Sequence, residues 1–368
     1  MKIRLTAAAG LSAVLLLSAC AANEPGGNAA PDAPTGTSSA SDSESTAPAL
    51  EGTIQGIGAS SMKKAQELWI ANYAGVQPSV TINYDDKGSG AGRDAFIAGG
   101  ADYAGSDRAF KVEENVAGSF GKCTTEAHAI DLPVYISPIA VVFNLGDIQE
   151  LDLTSETVAK IFMGQITKWN DPAIAATNSG VTLPDTDIAI VHRSDKSGTT
   201  ENFTDWLNVA APEVWTEKGD QEWKGAGGDA ADGTSGVMTA VTGAVGTIGY
   251  ADLSQAKGVG IAKINGVTPS EEDAAKAVEA SPIETEGRLA GDIAIKIDRK
   301  AEGYPIVLVS YAIACSEYQD SNTAAIIKEF LSYVASEDGQ QAASEQVGSA
   351  PLSAALRDQV LASIDAIK

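Results

Sequence analysis

Three short segments of this chain combine hydroxyl side chains, glycines and isolated charges in a way that suits the capture of a small anion. The first is Arg193-Ser194-Asp195-Lys196-Ser197-Gly198-Thr199-Thr200. It follows an alternating apolar run, Asp187 to Val191, and precedes a helical pattern from Glu201 to Leu207, so it reads as a strand-to-helix turn. A helix start presents unpaired backbone N–H groups and the positive end of the helix dipole, where anions are held. Ser197 taken alone reads equally well as a plain N-cap. The segments Gly58-Ala59-Ser60-Ser61 and Gly88-Ser89-Gly90-Ala91-Gly92 share the same small, hydroxyl-bearing character. Three such turns at the carboxyl ends of strands would converge where open α/β sheets bind ligands, with glycines allowing close backbone approach. Arg193 can add a bidentate ion pair, and Asp195 can hold its guanidinium in place.

Asp107 ends an apolar run in Gly105-Ser106-Asp107-Arg108, on the same expected edge. A carboxylate repels an anion unless the ligand carries a proton to share. Monohydrogen and dihydrogen phosphate can donate one; sulfate cannot. Asp107 therefore reads either as a device that selects phosphate, or as a residue that merely caps the turn or pairs with Arg108.

Alternating strand and helix patterns position these turns. Residues 52–59 read as a strand and 60–73 as an amphipathic helix. Residues 80–84 form a second strand, 93–98 a short helix and 101–107 a third strand. Residues 130–144 read as one or two strands broken at Pro138, and 154–163 as a helix with a capping start. Residues 237–241 and 247–250 suggest a helix then a strand, and 305–314 a long apolar strand. Residues 323–334 and 345–367 are mostly helical, while the acidic, Gly-rich stretches 219–236 and 267–290 read as surface insertions or loops. This order predicts an α/β fold with largely parallel sheets.

The bulk composition narrows the partners. With 368 residues, 44% hydrophobic and 20% charged, the chain can build a substantial core. A formal charge of −24 argues against nucleic acid and against an anionic membrane surface. An anion site here must work through local dipoles and an arginine. Lys2, Arg4 and an apolar run from Leu5 to Leu17 form a leader too short to span a bilayer. It ends in Leu17-Ser18-Ala19-Cys20, which resembles a bacterial lipobox and implies cleavage before Cys20 and lipidation of its thiol; an ordinary signal peptide with a chance cysteine is the other reading. Residues 21–51 are a polar, Pro- and Gly-containing tether, expected to be disordered, with a reach of roughly 30 Å. Cys123 and Cys315 remain, and export suggests that they pair as one disulfide, two buried thiols being the alternative. No metal-ligand spacing and no Walker A segment appears, so neither metal nor cofactor is expected. The two histidines, His128 and His192, lie outside any Gly-x-Ser-x-Gly context. The five tryptophans show no stacked stripe and are expected to pack in the core or cleft.

Taken in order, the turn segments together with Gly105-Ser106-Asp107, Ile161-Phe162-Met163-Gly164-Gln165-Ile166-Thr167-Lys168-Trp169-Asn170 and Gly246-Thr247-Ile248-Gly249-Tyr250 resemble the substrate-binding proteins of high-affinity phosphate ABC transporters. The resemblance covers roughly residues 52–358. It implies a class II periplasmic-binding-protein fold, two lobes joined by two crossover strands with the ligand cleft between them. Lobe one would be residues 52–144 plus 307–368 and lobe two 145–306, with crossovers near 142–145 and 304–310. The implied ligand set is Ser60, Ser61, Ser89, Asp107, Arg193, Ser197, Gly198 and Thr199, with Asp195 in support. Where Ser60-Ser61 stand, the family often carries an apolar second residue, and where Lys196 stands, often glycine. The implied protein is a monomeric, extracytoplasmic, lipid-anchored receptor that passes phosphate to permease subunits and is no enzyme. Two alternatives stand beside it: a binder of sulfate or molybdate on the same fold, and a secreted phosphate-ester hydrolase using Ser197 or Ser60 as nucleophile.

Overall fold

The structure is a computed structural model that describes residues 50–368. The leader, Cys20 and the tether as far as residue 49 lie outside the described residues. β1 (Gly52–Gly58) leads to α1 (Lys63–Val76), β2 (Val80–Asp85) to α2 (Ser89–Ala98), and β3 (Tyr103–Ser106) to the long β4 (Ala129–Phe143). Then come β5 (Glu150–Leu153), α3 (Ser155–Phe162), α4 (Pro172–Ala175), β6 (Ala189–Arg193), α5 (Gly198–Ala210), β7 (Asp229–Ala231), α6 (Gly233–Gly243) and β8 (Thr247–Asp252). β9 (Gly260–Ile264), α7 (Glu271–Glu279), the small hairpin β10 (Ile283–Glu284) and β11 (Ala294–Ile295), and β12 (Val307–Cys315) follow. The chain closes with α8 (Ser321–Ala335), α9 (Glu337–Val347) and α10 (Ala354–Asp365).

The main sheet runs β2-β1-β3-β12-β4-β8-β6-β7, with β9 also on β4 and β5 on β9. β1 pairs in parallel with β2 and β3, and β6 in parallel with β7 and β8. Between these two parallel groups stand β12 and β4, antiparallel to each other and to their outer neighbours. Both central strands are buried along their whole length, which explains their near-continuous apolar sequence. The fold is therefore α/β as expected, but the sheet is mixed rather than largely parallel.

Pro138 does not break the strand. Ala129 to Pro138 pair with β12, and Ile139 to Phe143 pair with β8, so the proline sits where β4 changes partner. The neighbouring Ile139 N–H donates to Ile306 O at 2.8 Å. Antiparallel pairs alternate between bonded and non-bonded positions, so Pro138 takes a position where the missing donor costs no bond to β12.

Two stretches read as loops carry elements. Residues 219–236 contain β7 and the start of α6, and 267–290 contain α7, capped by the Ser270 hydroxyl on the Asp273 N–H at 3.1 Å. Short apolar content hides them, because α6 is built largely of Gly, Ala, Thr and Val. The C-terminal helical run is also divided. Gly348 takes the left-handed conformation (φ 78°) and closes α9 before α10 begins, and residues 337–344 extend α9 upstream of the expected start.

Cys123 and Cys315 form a disulfide, with Cα atoms 5.3 Å apart and a sequence separation of 192. It ties the loop after β3 to the end of β12. Closing so long a loop restricts the unfolded chain by about 5 kcal/mol in the chain-entropy account. The double variant Cys123→Ser/Cys315→Ser is expected to lose about 2–5 kcal/mol of unfolding free energy in urea denaturation; a midpoint equal to that of the wild type would show the bond to be dispensable.

Candidate functional site

The carboxyl ends of the parallel strands converge, and helices α2, α5 and α6 begin there. β1 runs into the turn 59–62, which is buried: Ser60 and Ser61 are 2% and 0% exposed. β2 runs through Gly88 into α2, whose first residue is Ser89. Gly88 has φ +92°, and a Cβ there would collide with the Asp195 carboxylate. β6 delivers Arg193 and the turn into α5, which starts at Gly198, three residues before the helix expected from apolar spacing. A Cβ on Gly198 would meet Ser89 Oγ and Asp107 Cβ, so only glycine allows α5 to approach the β1–β3 side this closely. The backbone N–H groups of Ser60, Ser61, Ser89, Gly198 and Thr199 have no hydrogen-bond partner among the described residues. All five are buried residues at turns or helix starts, a concentration of donors that suits an anion.

Asp107 lies among them, 3% exposed. Its Oδ1 accepts from Ser61 Oγ at 2.6 Å and Ser310 Oγ at 2.7 Å, and its Oδ2 from Thr199 Oγ1 at 3.1 Å. Its own N–H donates to Ser89 Oγ at 3.0 Å, leaving the Ser89 hydroxyl proton free to donate. Burial raises its pKa above the ordinary aspartate value; the three hydroxyls and the Arg193 charge oppose that rise without cancelling it. Arg108 points elsewhere, pairing with Glu114 at 2.7 Å, so the reading of Asp107 as its partner does not hold.

Arg193 is 3% exposed and grips Asp195 through Nε (2.6 Å) and Nη2 (2.5 Å). Its Nη1 faces Thr234 Oγ1 at 3.5 Å. The pair is thus locally neutral, with one edge of the guanidinium turned toward the cluster of donors. Asp195 also accepts from the Gly233 N–H at 3.2 Å, which ties the start of α6 to Arg193.

The expected residues meet, with one difference. Ser197 serves as the N-cap of α5, accepting from Thr200 N at 3.1 Å, and its own N–H goes to Gln221 O at 3.1 Å. Its backbone donor is committed, and only its hydroxyl proton is left to give. Lys196 lies at the surface, 3.6 Å from Asp94. His192 stacks on Trp223 with centroids 5.2 Å apart and bonds the Arg193 carbonyl, while His128 bonds Ala290 O; neither contacts Ser60 or Ser197. Trp69, Trp169, Trp206 and Trp215 are fully buried in the core. Among the described residues, no group of three or more His, Cys, Asp or Glu is arranged to hold a metal ion.

Three site residues were not legible as such. Thr234, 1% exposed, shares hydrogen bonds with Ser60 through both its N–H (3.1 Å) and its hydroxyl (3.0 Å). Its segment, Asp232-Gly233-Thr234, is a fourth turn of the same small, hydroxyl-bearing kind, and that likeness was the available signal. Asn202 donates to Asp107 O at 2.8 Å and Gly198 O at 3.0 Å, and Ser310 lies in the middle of an apolar strand. Neither carries a local signature.

A family model described as a PBP superfamily domain matches residues 35–338. Phosphate-binding protein PstS 3 of Mycobacterium leprae is 34% identical over 289 residues, covering 76% of this chain and 78% of that protein. Phosphate-binding protein PstS 2 of Mycobacterium tuberculosis is 33% identical over 325 residues, covering 85% of this chain and 87% of the relative. The solved phosphate binding protein of Stenotrophomonas maltophilia shares 20% identity and a TM-score of 0.69, over 84% of this chain and 93% of its own, and speaks for the fold. The mixed sheet, the convergent helix starts and these relatives agree: the chain belongs to the PBP superfamily and, within it, to the family of the PstS phosphate-binding proteins.

Proposed function

We propose that this protein captures inorganic phosphate outside the cytoplasm, enclosing it between two lobes, and delivers it to the permease of an ABC importer. The observation that carries the reading is a buried carboxylate, Asp107, set among five free backbone donors and the edge of Arg193. An acceptor among donors suits an anion that still bears a proton. Phosphate donates a hydrogen bond from its P–OH to Asp107 and accepts hydrogen bonds from Ser60, Ser61, Ser89, Gly198 and Thr199, with the hydroxyls of Ser89 and Ser197 in reach and Arg193 supplying charge. Sulfate and molybdate have no proton to give at neutral pH, and the carboxylate turns them away. The names of the PstS relatives support the same ligand, and the absence of any histidine contact to Ser60 or Ser197 disfavours the hydrolase reading.

The proposal includes the lobe division at 52–144 plus 307–368 and 145–306, a monomeric state, and anchoring through a lipid on Cys20. Among the described residues no helix is long and apolar enough to cross a membrane.

Isothermal titration of the mature domain should show tight phosphate binding that excess sulfate does not displace; equal competition by sulfate would sink the reading. Asp107→Asn should cut the phosphate-over-sulfate preference by about tenfold or more, each decade being about 1.4 kcal/mol. In the wild type, the raised pKa of Asp107 means that its carboxyl takes up a proton sooner than an ordinary aspartate as pH falls. Sulfate competition should therefore strengthen toward acid pH and fade toward alkaline pH, and a flat profile would remove Asp107 from the selectivity mechanism. Cys20→Ser should move the protein from the membrane fraction to the soluble fraction on cell fractionation; unchanged membrane retention would rule out the lipid anchor.

A further inference from the structure

A peptide bond is planar and trans, so its N–H and C=O point in opposite directions. Fixing a carbonyl therefore aims the N–H of the next residue. Behind the Ser89 N–H, Gly88 O accepts from Gly92 N at 3.0 Å; behind the Gly198 N–H, Ser197 O accepts from Glu201 N at 3.1 Å. Behind the Thr199 N–H, Gly198 O accepts from Asn202 Nδ2 at 3.0 Å. Helices α2 and α5 thus supply or carry the bonds that orient these three donors.

Ser60 and Ser61 have no such support, because α1 begins only at Lys63. The helix offers a single long bond, Lys63 N to Ser60 O at 3.4 Å. Side chains take over. Tyr84 OH donates to Ala59 O at 2.9 Å, which backs the Ser60 N–H. Gln255 Nε2 donates to Ser60 O at 2.8 Å, which backs the Ser61 N–H, and also to Ser61 O at 3.0 Å.

These two supports differ in origin. Tyr84 stands on β2, in the same parallel group as the turn it holds. Gln255 comes from the other group, at the end of the 3-10 turn Leu253–Gln255 that follows β8. That turn is fastened at its base. Asp252 is 0% exposed, and its Oδ1 accepts from Ser254 N at 3.0 Å and Tyr135 OH at 2.9 Å. Asp252 also pairs with Ile139, the first residue of β4 after the change of partner at Pro138. Gln255 is thus carried by a braced turn anchored at the junction of the two groups, and its bonds to Ser60 O and Ser61 O run from one group to the other.

We infer that Gln255 is a positioning residue for the anion site: it aims the Ser61 N–H and makes that alignment conditional on closure of the two parallel groups. The inference rests on the phosphate reading above. Gln255 touches no ligand in this scheme; it acts through the peptide it holds. Its loss leaves the open protein intact and lets the closed one reopen sooner.

The test uses the mature protein with Gln255→Met, which keeps length and removes the donor, and Gln255→Ala. Removing one or two amide–carbonyl bonds should raise the phosphate dissociation constant by about 5- to 30-fold in titration. Release of radiolabelled phosphate should quicken by the same factor while association changes little. The preference for phosphate over sulfate, set by Asp107, and the ligand-free urea midpoint should stay at wild-type values. A dissociation constant within about twofold of wild type, a value close to measurement scatter on the scale of one hydrogen bond, would overturn the inference. So would a change carried by association, by selectivity or by ligand-free stability. Absence of phosphate binding by the wild type in the same titration would instead overturn the functional reading, and the role of Gln255 with it.

Discussion

Taking the Asp107 carboxylate out of water is costly unless donors surround it, and much of the site is arranged to meet that requirement. Three hydroxyls reach it from three separate places: Ser61 after β1, Thr199 at the start of α5, and Ser310 in the middle of β12. A carboxylate so held draws the two parallel groups toward one point. It also explains why hydroxyls, rather than a second cation, dominate the lining. A lysine in their place would pair with Asp107 and remove the acceptor on which the proposed choice of a protonated anion rests.

The same economy of charge reconciles anion capture with a formal charge of −24. Arg193 is paired to Asp195, so in the proposed site attraction would come from peptide dipoles at short range rather than from a basic surface. Dipoles fixed by the backbone act strongly where water is excluded and need no reorientation when the ligand arrives. Their value depends on aim, which is why the carbonyls behind the donor N–H groups matter as much as the donors themselves. Helix geometry aims those of α2 and α5; Tyr84 and Gln255 hold the turn that no helix supports.

Several parts of this arrangement were legible in the chain. The three glycine- and hydroxyl-rich turns, the Arg193–Asp195 pair and Asp107 all lie within short segments whose residue types declare their chemistry. The Cys123–Cys315 bond followed from cysteine count and export. Other parts were hidden for identifiable reasons. Apolar spacing placed the start of α5 at Glu201, because the first turn of that helix packs through Gly and Thr rather than large side chains. Pro138 looked like a strand breaker, since sequence cannot show that β4 changes partner at that residue. The Asp232-Gly233-Thr234 turn resembled a surface loop because its acidic surroundings masked the helix start.

By itself, the sequence determined the local chemistry: which turns present free N–H groups, where the arginine sits, and that one aspartate ends a strand nearby. These follow from interactions among residues a few positions apart. Tertiary structure alone decided which groups face one another. Ser60 meets Thr234 across 174 residues, Ser310 meets Asp107 across 203, and Gln255 meets Ser60 across 195. No spacing rule reaches that far. Such pairs exist because β4 and β12 hold two parallel groups edge to edge, and the register of those ladders, not any local propensity, sets the few ångströms on which each hydrogen bond depends.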